Sequence, residues 1–173
     1  SGIYDYLGSP AVIAEQSRPW TRAEVIAIAA AQPPVFPPGS SWGYSNTNYF
    51  LLGMVIEDGT GNAYHGEVRR RLLAPLGLDD TYLEGPESLP GGLVVRSYEH
   101  RSGPYVDITS LTHPSLGWSA GSYISTAEDL EDWGRALLTG RVLLPATRAL
   151  MLTPTALPGG RTGQTGLCIF VQN

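Results

Sequence analysis

The sequence predicts a mostly helical segment of an α+β domain. Capping boxes, prolines and glycines stand where helices favour such residues at their ends. One apolar run, 166–171, is typical of a buried strand, and little else in the chain is typical of a strong strand. A lone strand is not stable without neighbours. We therefore expect most of the sheet to be formed by residues outside this sequence.

The first predicted helix follows the capping box Thr21-Arg22-Ala23-Glu24, in which the threonine caps the helix and the glutamate bonds back. The prolines between 33 and 38 then favour an extended, turning segment. A second helix is predicted over 46–58 and is expected to stop at Gly59. Its side chains are apolar on almost every face, which is typical of a core helix.

A third helix is predicted over roughly 63–73, because Pro75 and Gly77 follow it. From 79 to 113 the pattern breaks up into turns and short strands. The sequence contains no internal repeat, no low-complexity stretch and no linker that would divide the chain. We therefore expect a single domain piece over residues 1–173.

A second capping box, Ser125-Thr126-Ala127-Glu128, predicts an amphipathic helix that ends at Gly140. Three of its apolar side chains are expected to point inward: Leu130, Trp133 and Leu137. Pro145 suits the first position of a further short helix, which is predicted to reach about residue 152.

The composition excludes several kinds of partner. The apolar fraction of 42% and the charged fraction of 16% are those of a globular protein. No apolar run is long enough to cross a bilayer, and the net charge of -5 argues against an anionic membrane surface. The run Arg69-Arg70-Arg71 favours a solvated helix face over a nucleic-acid site. We expect no nucleic-acid partner and no stable membrane insertion.

Cysteine and histidine give no sign of a metal site. Cys168 is the only cysteine, so it forms no disulfide within the chain, and its apolar neighbours indicate a small buried side chain. The histidines, His65, His100 and His113, are scattered and match no ligand spacing. We therefore predict no bound metal.

The segment Tyr44-Ser45-Asn46 carries the clearest chemistry. Alternate residues of an extended stretch point the same way, so we expect Tyr44 and Asn46 to face one cleft while Ser45 begins the helix. A phenol acts as a general base when nearby cations favour its phenolate, and this chain contains no lysine. An asparagine amide can orient a substrate without adding charge. The alternative is that both residues only cap the helix.

The surroundings of this segment resemble a known family. The stretch from Pro37 to Gly61 combines Pro-Pro-Gly, Tyr-Ser-Asn-Thr-Asn-Tyr, an apolar helix and Glu-Asp-Gly-Thr-Gly. It is similar in detail to the family of class C β-lactamases and D-alanyl-D-alanine carboxypeptidases. Further matches at 1–6, 73–81 and 119–130 extend the resemblance over nearly the whole chain.

The resemblance implies the central, mainly helical part of the β-lactamase/transpeptidase-like fold of a penicillin-recognising serine hydrolase. The main antiparallel sheet would be largely missing from this chain. Tyr44 would be the catalytic general base or acid and Asn46 a substrate-orienting residue. The family's Ser-x-x-Lys and Lys-Thr-Gly motifs cannot occur without lysine. The nucleophile would therefore lie outside this sequence, and we expect the piece alone to be inactive.

By the same resemblance, the complete protein would hydrolyse D-alanyl peptides, β-lactams or related esters through an acyl-enzyme. It would need no cofactor and would work outside the cytoplasm, as a secreted, periplasmic or cell-wall-facing enzyme. We further expect the strand at 166–171 to be covered by a complementary chain, a swapped copy or residues outside this sequence.

Two other hypotheses stay open. The first is a catalytically dead binding or sensing module that kept the fold. The second is an esterase of the α/β-hydrolase type, because Gly117-Trp118-Ser119-Ala120-Gly121 fits G-x-S-x-G. No apolar strand precedes this motif, and all the histidines precede Ser119. We therefore expect Ser119 in a small-residue strand that lines the cleft, and Trp118 either in the substrate groove or in the core.

Overall fold

The described part of the chain is mostly helical. A computed structural model of the protein describes residues 1–92, 95–100, 102–156, 166–167 and 169–170. Its α-helices are α1 (Pro10–Ala14), α2 (Arg22–Ala30), α3 (Asn46–Thr60), α4 (Tyr64–Val68), α5 (Ala74–Leu76), α6 (Ala127–Thr139) and α7 (Pro145–Leu152). Among these described helices, none is both long and apolar enough to cross a bilayer.

Two strand pairs are present in the described residues, and both are short and antiparallel. β1 (Tyr82–Leu83) pairs with β4 (Tyr123–Ile124), and β2 (Tyr98–Glu99) pairs with β3 (Val106–Asp107). Helices joined to such small sheets confirm the predicted α+β class and the scarcity of sheet. In the predicted strand at 166–171, residues 166, 167 and 169 form bends, while 168 and 171 lie outside the described residues.

The predicted helix starts are close to the observed ones. At α2 both halves of the capping box form, since Thr21 accepts from the Glu24 N–H and Glu24 accepts from the Thr21 N–H. Helix α3 continues beyond the predicted stop at Gly59 and ends at Gly61, which has a φ of 69°. That left-handed conformation is the one that closes a helix, and glycine adopts it without a steric cost.

The third predicted helix is longer and less regular than expected. It comprises α4, a π-helical turn at Arg69–Leu73 and α5, and it ends at Gly77. Two arginines of the turn, Arg70 and Arg71, form ion pairs with the buried carboxylate of Glu67. Hydrogen bonds from these arginines, Arg70 first, hold the pKa of Glu67 below its usual value.

Helix α6 begins one residue later than predicted, and of its three expected inward side chains Trp133 and Leu137 are half-buried whereas Leu130 is exposed. Its N-cap is Thr126, not Ser125, and the Thr126 hydroxyl accepts from the N–H of Asp129. The Asp129 carboxylate is buried and accepts from Thr81. This polar anchor fixes the inward face, so Leu130 is 59% exposed and the prediction that it points inward is wrong.

The core lies on one side of α3. Thr47, Phe50 and Gly53 are buried there, and the Phe50 ring contacts the rings of Tyr6 and Trp118 at 5.5 and 4.9 Å between centroids. Trp118 belongs to a 3₁₀ turn at Trp118–Ala120. The core helix expected from the sequence is therefore packed on one face, whereas its other face is open in the described residues.

Candidate active site

Tyr44 lies at the N-terminal end of α3, on the open side. Its side chain is 50% exposed and lines a cleft of about 440 Å³. The ring of Tyr49 lies 5.7 Å from that of Tyr44, and Trp42 contacts Phe170 across the cleft at 6.2 Å between centroids. No lysine, arginine or histidine side chain is among the described residues that line this cleft.

A chain of hydrogen bonds joins Tyr44 to Asp5. The Tyr44 hydroxyl donates to Oδ1 of Asn46 at 3.1 Å. Nδ2 of Asn46 donates to Oδ2 of Asp5 at 2.9 Å, and Oδ1 of Asp5 accepts from the N–H of Leu7 at 3.1 Å. The structure thus brings the two motif residues together and adds an acidic residue that the motif does not contain.

The backbone explains why these residues meet. Ser45 is extended, with φ -153° and ψ 123°, so Tyr44 and Asn46 lie on the same side of the chain, as the spacing predicts. The Thr47 hydroxyl donates to the carbonyl of Tyr4 at 2.6 Å and accepts from the N–H of Tyr6 at 3.2 Å. These two bonds fix the start of α3 against the segment that carries Asp5.

Asn46 does not line the cleft at Tyr44 but borders a different pocket. This pocket has a volume of about 350 Å³ and is lined by further polar side chains, among them His113 and Ser122. Nδ1 of His113 lies 2.9 Å from the Ser115 hydroxyl, so its neighbours hold the ring in place. Asn46 therefore lies beside this polar cavity and is joined to the cleft through its hydrogen bond with Tyr44.

Trp118 is placed in the core. It is 7% exposed, its ring contacts Phe50 and Tyr64, and the Arg22 guanidinium lies 4.4 Å from its ring centre. Its φ of 35° is in the left-handed region, which is rare for a bulky residue and persists only under close packing. Since Trp118 does not line the cleft at Tyr44, the packing favours the core alternative.

Ser119 packs against α3 and does not lie in a strand. Its hydroxyl donates to the carbonyl of Tyr49 at 3.0 Å, and its Cβ lies close to Gly53. A nucleophile elbow needs a strand before the serine and a helix after it. The residues before Ser119 instead form a 3₁₀ turn at Pro114–Leu116. Substrate binding by Ser119 stays a prediction that these contacts do not support.

Tyr6, a buried phenol near the site, has a shifted pKa. Burial, followed by the nearby Asp5 and Tyr44, raises the pKa of Tyr6. Its hydroxyl donates to the carbonyl of Leu116, so it is committed to the core. In the described ranges, no cluster of three or more histidine, cysteine, aspartate or glutamate side chains is suited to a metal.

Sequence reasoning missed Asp5 as a site residue. The segment 1–6 was singled out only for its likeness to the family. A local signal was present, because an aspartate side chain often accepts a hydrogen bond from the backbone N–H two residues later and so forms a turn. The contact with Asn46 joins positions that are 41 residues apart, and no local pattern predicts it.

Comparison with known proteins identifies the family. The beta-lactamase family profile matches residues 1–172. The chain is 35% identical to a D-stereospecific amidohydrolase from Streptomyces sp. of known structure, with a TM-score of 0.79, over 96% of this chain and 52% of that one. It is 30% identical to a D-amino acid amidase from Ochrobactrum anthropi complexed with D-phenylalanine, with a TM-score of 0.80, over 98% of this chain and 51% of that one.

A sequence relative points the same way. The chain is 26% identical to a penicillin-binding protein of Bacillus subtilis over 148 residues. This match covers 80% of the chain and 33% of the relative. The chain thus spans about half the length of the similar solved structures and a third of this relative. The family match covers nearly the whole chain, so the chain belongs to the beta-lactamase family of serine hydrolases.

Proposed function

We propose that the protein containing this chain hydrolyses amides or esters of D-amino acids through an acyl-enzyme. Tyr44 is its general acid or base, and Asn46 orients the substrate. We include D-alanyl peptides and β-lactams among the substrates proposed for this protein. The observation that carries the proposal is the hydrogen-bonded set of Tyr44, Asn46 and Asp5, in which Tyr44 lines an open cleft.

The chemistry needs groups beyond those described at the cleft. A serine that attacks a carbonyl must lose its proton to a nearby base, and a phenol serves as that base only when cations favour its phenolate. The described cleft residues include no cationic side chain, and the sequence contains no lysine. We infer that the nucleophile and its cation come from further polypeptide.

The open face of α3 supports the same inference. Leu52 is 51% exposed and lines the cleft, and Val55, three residues further along the helix, is 65% exposed. The similar solved structures contain about as much polypeptide again as this chain matches. A complementary segment or a swapped copy that covers this face would place its side chains beside Tyr44. By family resemblance, we place the complete protein outside the cytoplasm.

The test is turnover of D-phenylalanine amide and D-alanyl-D-alanine by the complete protein. Tyr44→Phe should lower kcat/KM by about 10²–10⁴-fold, the usual contribution of a general acid or base. Tyr105→Phe is the matched control, because Tyr105 is 73% exposed and lies outside the cleft. Equal activity of both variants would sink the assignment.

A second assay separates the enzyme from a binding module without catalysis. Residues 1–173 alone, incubated with a labelled penicillin, should form no covalent adduct, because no serine–lysine pair is present. The complete protein should form one. Reversible binding without an adduct or turnover in the complete protein would favour the dead sensing module. Loss of ester hydrolysis in Ser119→Ala with activity retained in Tyr44→Phe would favour the esterase.

A further inference from the structure

The carboxylate of Asp5 is bonded at both of its oxygens. Oδ1 accepts from the N–H of Leu7 at 3.1 Å, and Oδ2 accepts from Nδ2 of Asn46 at 2.9 Å. An ionised carboxylate offers acceptors and no donor. The side-chain group of Asn46 that faces it must therefore be the NH2 group. The orientation of an asparagine amide follows from its hydrogen-bond partners, and here the carboxylate determines it.

This orientation sets the role of the Tyr44 hydroxyl. With the NH2 group turned to Asp5, the carbonyl oxygen of Asn46 faces Tyr44 at 3.1 Å, so the phenol must donate. We propose that Asp5 is a positioning residue, which fixes the Asn46 amide and so makes the Tyr44 hydroxyl a hydrogen-bond donor to Asn46. The catalytic meaning of this arrangement rests on the proposed function, whereas the arrangement itself does not.

The arrangement also defines what the site offers a substrate. An amide side chain has two N–H groups and two lone pairs on its oxygen, and Asn46 uses one of each. One donor and one acceptor therefore remain for a substrate amide. A phenolate at Tyr44 would face the carbonyl oxygen of Asn46 and be repelled by it. Tyr44 can take a proton from a serine only after it has given up its own to solvent or a neighbouring base, which requires that this bond opens and that a cation favours the phenolate.

The variant Asp5→Asn should reverse the chain of hydrogen bonds. The N–H of Leu7 still requires an acceptor, so the oxygen of the new amide stays there and its NH2 group faces Asn46. Asn46 must then turn over, which directs its own NH2 group towards Tyr44. Asp5→Asn has nearly the same shape as the native residue and keeps the cap at Leu7, so the reversal is separable from loss of folding.

Nuclear magnetic resonance of the complete protein, labelled with nitrogen-15 in asparagine, tests the proposal. In the wild type, the Asn46 amide protons should show cross-relaxation to the methylene protons of Asp5 and little to the ring of Tyr44. In Asp5→Asn, cross-relaxation to the ring should grow several-fold. Tyr44→Phe is the control, because it keeps the contact between Asn46 and Asp5. Asn46→Asp assigns the signal.

Two outcomes would overturn the proposal. One is strong cross-relaxation between the Asn46 amide and the Tyr44 ring in the wild type, and the other is an unchanged pattern in a folded Asp5→Asn variant. If that variant does not fold, the wild-type pattern alone decides. None of these measurements uses turnover, so a failure here leaves the hydrolase proposal standing, and absence of turnover leaves this one standing.

Discussion

The two groups of candidate site residues lie on different sides of α3, and they differ in exposure and in what surrounds them. Tyr44 is 50% exposed beside an open cleft, whereas Trp118 is 7% exposed among aromatic rings. In the sequence, each is an aromatic residue next to a serine and close to glycine. Local composition therefore does not separate a cleft residue from a core residue, and the packing of the helix between them does.

The packed face and the open face also differ in what fills the space beside them. Gly53 lets Ser119 and Trp118 approach the helix backbone so closely that an added Cβ would lie 2.3 Å from the Ser119 hydroxyl. On the other face, Leu52 and Val55 remain exposed in the described structure. One face contributes stability, and the other is the face that we propose is covered by further polypeptide.

The largest expected effect is a direct test of this difference. Phe50→Ala removes a ring that is 1% exposed, and it should lower the free energy of unfolding by about 3–5 kcal/mol. Leu52→Ala changes a residue of the same helix that is 51% exposed, and in residues 1–173 alone, where no further polypeptide covers that face, it should change that energy by less than about 0.5 kcal/mol. Urea denaturation measures both. Equal losses would mean that the open face is packed in solution.

A second pair of substitutions tests the close approach at Gly53. Gly53→Ala forces Ser119 and Trp118 away from the helix and should cost about 1–3 kcal/mol, as overpacking does. Gly59→Ala adds the same methyl group to α3 where nothing lies within 4 Å, so the better helix propensity of alanine should stabilise the protein by up to about 1 kcal/mol. Thermal unfolding of the two variants should shift in opposite directions, and a stabilised Gly53→Ala would contradict the packing.

Local signals predicted the helices well and the long-range contacts poorly. The capping box at Thr21, the helix beginning at Pro145 and the closing glycine at Gly140 all appear in the structure, because each depends on residues within one turn. The predicted stop of α3 at Gly59 is wrong, because Gly59 is helical and the helix ends at Gly61. Only Gly61 adopts the left-handed conformation.

The sequence predicted the local pair of the site, Tyr44 and Asn46, but not the distant Asp5. The spacing of Tyr44 and Asn46 fixes their common side, since an extended residue separates them. Asp5 reaches Asn46 only because Thr47 fixes α3 to the segment 4–6 through its own hydrogen bonds. The inward face of α6 depends on the bond between Asp129 and Thr81, which are 48 residues apart. Contacts of that separation are set by packing and not by periodicity.

The packed side should also make the protein sensitive to alkali. Burial is the main cause that raises the pKa of both Tyr6 and Tyr123 above the value of a free phenol. The unfolded chain therefore loses these protons first, so stability is intact below about pH 10 and falls as the pH rises further. Tyr6→Phe should cost about 1 kcal/mol at neutral pH, from the lost hydrogen bond to Leu116, and should flatten the alkaline decline.

Alkaline urea titrations check this prediction, with Tyr105→Phe as the control, because Tyr105 is 73% exposed. The control variant should follow the wild-type curve at every pH. A Tyr6→Phe curve as steep as that of the wild type would show that the Tyr6 phenol does not cause the decline.

The smallest expected change in stability is at the residue with the largest expected role in catalysis. Tyr44→Phe removes a hydroxyl from a half-exposed ring, and water can replace the lost partner of Asn46. The free energy of unfolding should change by less than about 0.5 kcal/mol, which is usual for surface substitutions. Urea denaturation of the complete protein gives the value beside its activity. A loss above about 1 kcal/mol would make the Tyr44 hydroxyl a structural group like that of Tyr6. The contrast between a stabilising side and a catalytic side of α3 would then be wrong.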